Sequence, residues 1–281
     1  MMASMTPAAT NLAYPYPLIL VTSSDKKVRE VQDVVGSRAH ITRVDAVLRE
    51  DQENDAIATC RLRGPEHYPA AAGLSMQLKY THLARECTLS EKLPVALQPG
   101  LTLMDSAWFQ VARQGLPGIT VKQEFAGTRL EDGTEIENNT APVFACEMAK
   151  ILKDCRVVWV ETAATIEPDP QNPDIFMVKY RQSVAECYTP PTPRGQGWAY
   201  DVCCCPDPIV YARYKGRHDV AERLAAIKDK KWQLPLEAEK LGCLVTFAEL
   251  EERGLKHIFS PRADLFRQFI APKEERRKWP V

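Results

Sequence analysis

From Leu18 onward, short apolar runs alternate with stretches of helical period. Leu18-Ile-Leu-Val21 is an apolar run closed by the polar turn Thr22-Ser-Ser-Asp25. Val28, Val31, Val34 and Val35 then fall on one face of a helix over 26–35. Ser24 or Asp25 caps that helix, Gly36 stops it, and His40 to Val44 reads as a second strand. The chain therefore predicts a βαβ start whose helix N-terminus is aimed at an anion. Gly-Pro and Tyr-Pro pairs mark Arg61 to Gly73 as a loop, and Leu74 to Cys87 reads as a helix with Leu74, Leu78 and Leu83 on one side. Leu101 to Asp105 is a strand ending in a carboxylate, and Gly115-Leu-Pro-Gly118 is a turn. Asn138 to Lys153 predicts an amphipathic helix capped by Asn139 or Thr140, with Pro142 in its first turn. Arg156 to Ala163 and Ile175 to Arg181 read as strands around the Pro-rich loop Glu167 to Asp174, with Ser183 to Tyr188 as a further strand. After the irregular loop Thr189 to Gly195 come a short apolar strand, Val202 to Cys205, and a charged, inserted helix, Ala221 to Lys231. Thr246 to Arg253 is helical, a loop follows, and Arg262 to Ile270 closes the chain as a helix. Strands alternating with helices predict a mixed α/β fold.

Composition narrows the function classes. The 281 residues fit one domain with insertions, or one built of two lobes, and 45% hydrophobic residues suffice for a core without disulfides or a structural metal. With 36 basic and 37 acidic residues the net charge is −1, which argues against a general nucleic-acid binder and leaves room for a local basic pocket for one nucleotide. No apolar run reaches the length of a membrane-spanning helix. Residues 1–17 hold no Lys or Arg, so they match neither a secretory nor a transit peptide and read as a loose arm. Nine cysteines without a secretion signal point to a reducing, cytoplasmic compartment. Cys203, Cys204 and Cys205 are consecutive, which suits small buried side chains on a strand better than ligands of one metal ion.

Five stretches carry candidate chemistry. Thr22-Ser-Ser-Asp-Lys-Lys27-Val-Arg-Glu30 joins the first strand to its helix, and Lys27 stands where a helix-start lysine reaches an anion. Glu50-Asp-Gln-Glu53 lies in an acidic run, whose bland reading is a solvated face, and Lys79 lies in the following helix. Leu101-Thr-Leu-Met-Asp105-Ser106 precedes Gly115-Leu-Pro-Gly118. Pro193-Arg-Gly-Gln-Gly-Trp198-Ala-Tyr200-Asp201 runs on to Pro206-Asp207, and Thr246-Phe-Ala-Glu249-Leu250 is followed by Lys256 and by Ser260-Pro-Arg262.

In this order, from about Leu18 to Phe269, the stretches resemble the inosine triphosphate pyrophosphatase (Ham1-type) family. They are similar to its T-G-N-x-x-K loop, E-x-Q-G-E segment, strand ending in E-D-[ST] with G-x-P-G, P-R-G-x-x-x-F-G-W-D-P-x-F-x-P-D segment with one deletion, and T-[FY]-A-E followed by K-N-x-x-S-H-R. The departures are Ser23 and Ser24 for Gly and Asn, Met104 for an acid, Trp198 and Tyr200 for Phe and Trp, and Pro261 for His. His257 occupies the Asn position and does not replace that histidine.

The resemblance implies a two-lobed α/β fold with a long mixed central sheet flanked by helices and a cleft between the lobes. It would cover a single domain over 18–281 with insertions near 54–73 and 208–243. It also implies hydrolysis of non-standard purine nucleoside triphosphates (ITP, XTP, dITP) to the monophosphate and pyrophosphate, with Mg²⁺ (Mn²⁺ as the alternative ion), in a homodimer. On this chain Thr22, Ser24, Lys27 and Lys79 would hold phosphates, and Glu50 and Asp105 the metal. Asp105 would also stand near the attacking water, and Trp198, Tyr200, Asp201, Lys256, Ser260 and Arg262 would meet the purine or ribose. The altered motif positions keep a second reading open: a family fold with impaired catalysis that binds a nucleotide or a protein partner.

Overall fold

The computed structural model describes residues 16–44, 64–89, 97–118, 141–169, 171–197 and 199–270. β1 (Leu18–Val21) leads through the Thr22–Ser24 turn into α1 (Asp25–Val35), and β2 (Ile41–Val44) follows. α2 (Tyr68–Leu89) starts earlier than the apolar spacing predicts, because Pro69 sits in its first turn, where a missing N–H costs nothing. β3 (Leu101–Gln110) runs well past Asp105, and the Gly115–Gly118 turn folds β4 (Pro117–Gly118) back onto it. Gly118 has φ 58°, and a Cβ there would lie 2.9 Å from the Gly115 carbonyl oxygen, so only glycine closes this turn without strain.

After α3 (Ala141–Leu152) come two long strands, β5 (Arg156–Pro168) and β6 (Phe176–Tyr188). The strands expected over 175–181 and 183–188 are thus one strand. The Val202 to Cys205 strand is corrected to a helical turn, α4 (Ala199–Cys203), with only β7 (Cys205–Pro206) pairing to β6. The three thiols are buried and free in the apolar cluster around Trp159 and Phe247. The 208–243 stretch holds three short helices, α5 (Pro208–Tyr214), α6 (His218–Ala225) and α7 (Gln233–Lys240). α8 (Phe247–Glu252), a short α9 (Lys256–Phe259) where the sequence predicts a loop, and α10 (Pro261–Ile270) complete the described chain.

The fold is mixed α/β. Its sheet has the order β2-β1-β3-β5-β6-β7, with β4 beside β3. β2, β1 and β3 are parallel, and β3, β5, β6 and β7 are antiparallel. Side chains alternate across the pleat. Leu18, Leu20, Met104 and Ala163 meet Val31, Val34 and Phe266 of α1 and α10 on one face. Ile19, Val21, Leu103 and Ala164 meet Met76 and Leu83 of α2 on the other. β1 accompanies β3 only as far as Val21 opposite Leu103, so β3 passes Asp105 and Ser106 beyond the carboxyl end of β1. Ligands of open α/β sheets bind outside the carboxyl ends of such strands. Among the described residues no helix is long and apolar enough to cross a membrane.

Candidate functional site

The first turn of α1 sits at that ledge. The Thr22 hydroxyl oxygen accepts from the Ser24 N–H at 3.1 Å, and the Ser24 oxygen accepts from the Lys27 N–H at 3.3 Å. These two side chains, expected to face phosphate, use their oxygens to shape the turn and cap the helix. Consecutive helical residues do not face the same way. Lys26 therefore reaches the buried Asp201, whereas Lys27 reaches the neighbourhood of Asp105, Glu161, Lys79 and Arg262.

At the Lys27 end, Lys79 of α2 donates to Asp105 Oδ2 at 2.6 Å. Burial alone would push the Asp105 carboxyl up, but Lys79 and Lys27 together hold it below the usual carboxylate range. Lys27 is the converse case. Burial lowers its pKa more than Asp105 and Glu161 raise it, and the Arg262 and Lys79 cations add to the lowering. Among the described residues its ammonium has no hydrogen bond or ion pair. Met104, standing where an acid was expected, points to the opposite face from Asp105 and lies in the apolar layer under α1 and α10.

Behind this ledge lies a buried core of charge. Arg262 donates through Nη1 to Glu30 Oε2 at 2.6 Å, through Nη2 to Glu161 Oε1 at 3.0 Å and to Ser106 Oγ at 2.7 Å, and through Nε to Glu161 Oε2 at 3.3 Å. The Trp159 indole N–H donates to Glu161 at 2.8 Å, and the Ser260 hydroxyl donates to Glu30. Through these bonds Arg262 and Ser260, expected at the purine, tie α10 to α1, β3 and β5. Burial raises Glu30, but Arg262, Lys256 and Ser260 bring it below its ordinary value.

At the Lys26 end, Lys256 donates to Asp201 Oδ1 at 2.7 Å and to Glu251 Oε2 at 3.3 Å, and Lys26 approaches Glu251 at 3.0 Å. A pocket of about 160 Å³ opens here, lined by Lys26, Arg29, Glu30, Asp33, Glu251, Gly254, Lys256 and His257. That is smaller than the ~300–1,000 Å³ of most ligand sites, and suits one end of a ligand rather than the whole. Tyr200, expected at the base, packs in the core against Trp108 with ring centroids 4.7 Å apart. Trp198 and Glu50 lie outside the described residues.

The loop beside this end is held by its own motif. Gly195 has φ 86°, and a Cβ there would meet the Ala248 Cβ at 2.7 Å. Arg194 donates to the Leu244 carbonyl at 2.8 Å, and the Thr246 hydroxyl donates to the Arg194 carbonyl at 3.0 Å. Thr246 and Glu249 form a reciprocal capping box at the start of α8. Lys26, Glu161 and Glu251, like the pocket-lining Arg29 and Asp33, are not among the residues that the motifs mark. Only Lys26 left a signal, as the neighbour of Lys27.

Burial raises Asp201, yet Lys256 and Lys26 hold it low. Its pairs therefore stabilise the fold fully above the ordinary carboxylate range and are lost as pH falls through the lowered value. Asp201→Asn is expected to cost stability at neutral pH, at the lower end of the ~3–5 kcal/mol typical for removing one partner of a buried pair, because the Lys26 side chain is 31% exposed. The gap to the wild type closes in acid. Urea unfolding at neutral and acid pH measures both.

The described residues alone fit a divalent metal poorly; Glu50, the other expected ligand, lies outside them. Among the described residues no group of three His, Cys, Asp or Glu side chains is placed to hold an ion. Glu30 and Glu161 have both oxygens engaged, and Asp105 is neutralised by Lys79.

No family model and no curated protein matches the chain. Solved structures similar to it include a HAM1 protein from Coxiella burnetii (14% identity, 90% of this chain and 95% of that one, TM-score 0.46). Others are a nucleoside-triphosphatase, or dITP/XTP pyrophosphatase, from Mycobacterium abscessus (13% identity, 68% and 84%, TM-score 0.39) and the Staphylococcus aureus Ham1 protein (14% identity, 67% and 80%, TM-score 0.39). At that distance the functional reading stands on the charged residues themselves.

Proposed function

We propose that this chain is a divergent relative of the inosine triphosphate pyrophosphatases. In this reading it binds a purine nucleoside triphosphate along the ledge beyond β1 and cleaves it between the α and β phosphates. One observation supports this above the others: adjacent lysines on a single helical turn serve the two ends of one charged chain, Lys26 at Asp201 and Lys27 beside Asp105.

Phosphates would lie against Lys79 and against Lys27, whose ammonium makes no hydrogen bond or ion pair among the described residues. A desolvated cation is a stronger phosphate hook than an exposed one. Asp105, held low by two lysines, is a weak base, so its role is to orient the attacking water rather than to take its proton. At the other end Asp201 accepts and Lys256 donates. A 6-oxo purine offers the complementary N1–H donor and O6 acceptor, whereas adenine offers the reverse and leaves both groups opposed. A homodimer is expected from the resemblance alone.

A second reading has its own support. The neutralised Asp105 and the saturated Arg262 suit a protein that binds nucleotide without turning it over. Pyrophosphate release with ITP, XTP, dITP and the common triphosphates, with and without Mg²⁺, separates the two. We expect turnover of 6-oxo purine triphosphates that falls at least about a hundredfold in Asp105→Asn. Thermal stabilisation by ITP without any pyrophosphate release would establish the binding-only reading instead.

A further inference from the structure

At the phosphate end the Lys79–Asp105 pair stands nearer to solvent than the buried pairs of Arg262. Its side chains are 13% and 23% exposed, whereas those of Arg262, Glu30 and Glu161 are 9% exposed or less. Those deeper groups hold helices to the sheet. The Lys79–Asp105 pair joins α2 to the one strand segment that β1 leaves unaccompanied.

We propose that the Lys79 ammonium is a built-in cation occupying the seat on Asp105 that a divalent metal would need, so that the phosphate end takes a nucleoside triphosphate without a divalent ion and has little affinity of its own for one. This rests on the nucleotide reading for its first half and on the geometry alone for its second.

Three observations carry it. Asp105 is the only carboxylate described at this end with oxygen not already bound in the buried core. Its Oδ2 accepts from Lys79 at 2.6 Å, a charge-assisted bond that a metal would have to break. Lys27 adds a second cation close enough to act on the same carboxylate. Among the described residues two ammoniums stand against this one carboxylate, an excess of positive charge. Such a cluster repels a free Mg²⁺ and attracts an oligophosphate. An ammonium fixed by the fold also neutralises phosphate at no cost in desolvating a hydrated Mg²⁺, which gives up its water reluctantly.

Two titrations on the folded full chain test the proposal. In the first, Mn²⁺ is added to the nucleotide-free protein and free Mn²⁺ is read by electron paramagnetic resonance. The wild type is expected to bind none below millimolar concentration, and Lys79→Met, which frees Asp105 at nearly constant side-chain length, is expected to gain Mn²⁺ binding. In the second, ITP binding is measured calorimetrically in EDTA and in Mg²⁺. Wild-type affinity is expected to differ by less than about threefold between the two conditions, and Lys79→Met to lose at least about tenfold in EDTA with partial recovery in Mg²⁺. Lys79→Arg, which keeps the cation, should follow the wild type in both titrations.

Micromolar Mn²⁺ binding by the wild type overturns the proposal. So does ITP binding that requires Mg²⁺, which leaves the nucleotide reading intact. If ITP binds in neither condition, the nucleotide reading and the first half of the proposal fall together, while the Mn²⁺ titration still decides the second half. Circular dichroism and the thermal midpoint of each variant establish that Lys79 is not needed for folding. A Lys79→Met variant that folds yet matches the wild type in every titration refutes the assignment.

Discussion

Arg262→Met is expected to lower the stability of this protein by about 3–5 kcal/mol, a large part of the ~5–15 kcal/mol that holds a typical domain together. The guanidinium is buried and makes four hydrogen bonds, two to Glu161 and one each to Glu30 and Ser106. Methionine fills much of the same space but leaves two carboxylates in an apolar layer with no cation between them. Burial already acts to raise both, and only their partners bring Glu30 down.

The sign of the pH response follows. In the wild type Glu30 is held low, so its contribution is complete above the ordinary carboxylate range and is lost in acid. Without Arg262 burial prevails, and the variant gains stability as pH falls and the carboxylates take up protons. Glu161 is held above its ordinary value even in the wild type, so the expected result is that the variant's urea midpoint rises relative to the wild type's as pH falls. Arg262→Lys should rescue little, since one ammonium cannot reproduce the planar fork. A Met variant as stable as the wild type would mean that Glu30 and Glu161 find other partners.

Lys27→Met is expected to do the reverse: to weaken triphosphate binding strongly while leaving the fold as stable or slightly more so. A charge-assisted hydrogen bond to a charged group is worth about 1.5–3 kcal/mol, or roughly ten- to 150-fold in affinity. Burial of this ammonium opposes folding, and among the described residues it makes no hydrogen bond or ion pair, so removing it relieves more than the loss of its attraction to Asp105 and Glu161 costs. The lowered Lys27 pKa adds a check. In the folded protein this amine loses its proton at lower pH than an ordinary lysine. Wild-type affinity should therefore fall on the alkaline side earlier than lysine chemistry alone predicts, and Lys27→Arg should abolish that fall. Calorimetric titration of ITP against pH measures it, and unchanged affinity in Lys27→Met would remove the phosphate assignment.

The contrast between these two residues shows what the sequence could and could not convey. Both were singled out as ligand contacts from motif position, yet Arg262 is spent on Glu30 and Glu161, which lie 232 and 101 positions away along the chain. Such long-range pairing has no local pattern to betray it. The local signals fared better. The valines of α1 with their serine cap, the Gly115–Gly118 turn and the closing helix were legible because period, capping and backbone freedom are written in neighbouring residues. The Thr246-Phe-Ala-Glu249 stretch was read as part of a ligand motif, although its spacing is also that of a capping box, which is what the structure makes of it. The resemblance puts Tyr200 at the purine, in the place of the family's Trp. In the fold a one-turn helix swings it into the core against Trp108. Strand lengths were underestimated wherever polar residues interrupted an apolar run, as at Asp105 and Ser106 in β3, since those interruptions are where charged side chains from the flanking helices dock.

The early end of β1 has a mechanical consequence. From Met104 to Ala107, before β4 joins it, the floor of the ledge is one strand, laced along its far side to β5 and through β5 to β6. In the nucleotide reading the phosphates would rest on that laced floor, beneath a Lys79 that Asp105 already holds in place.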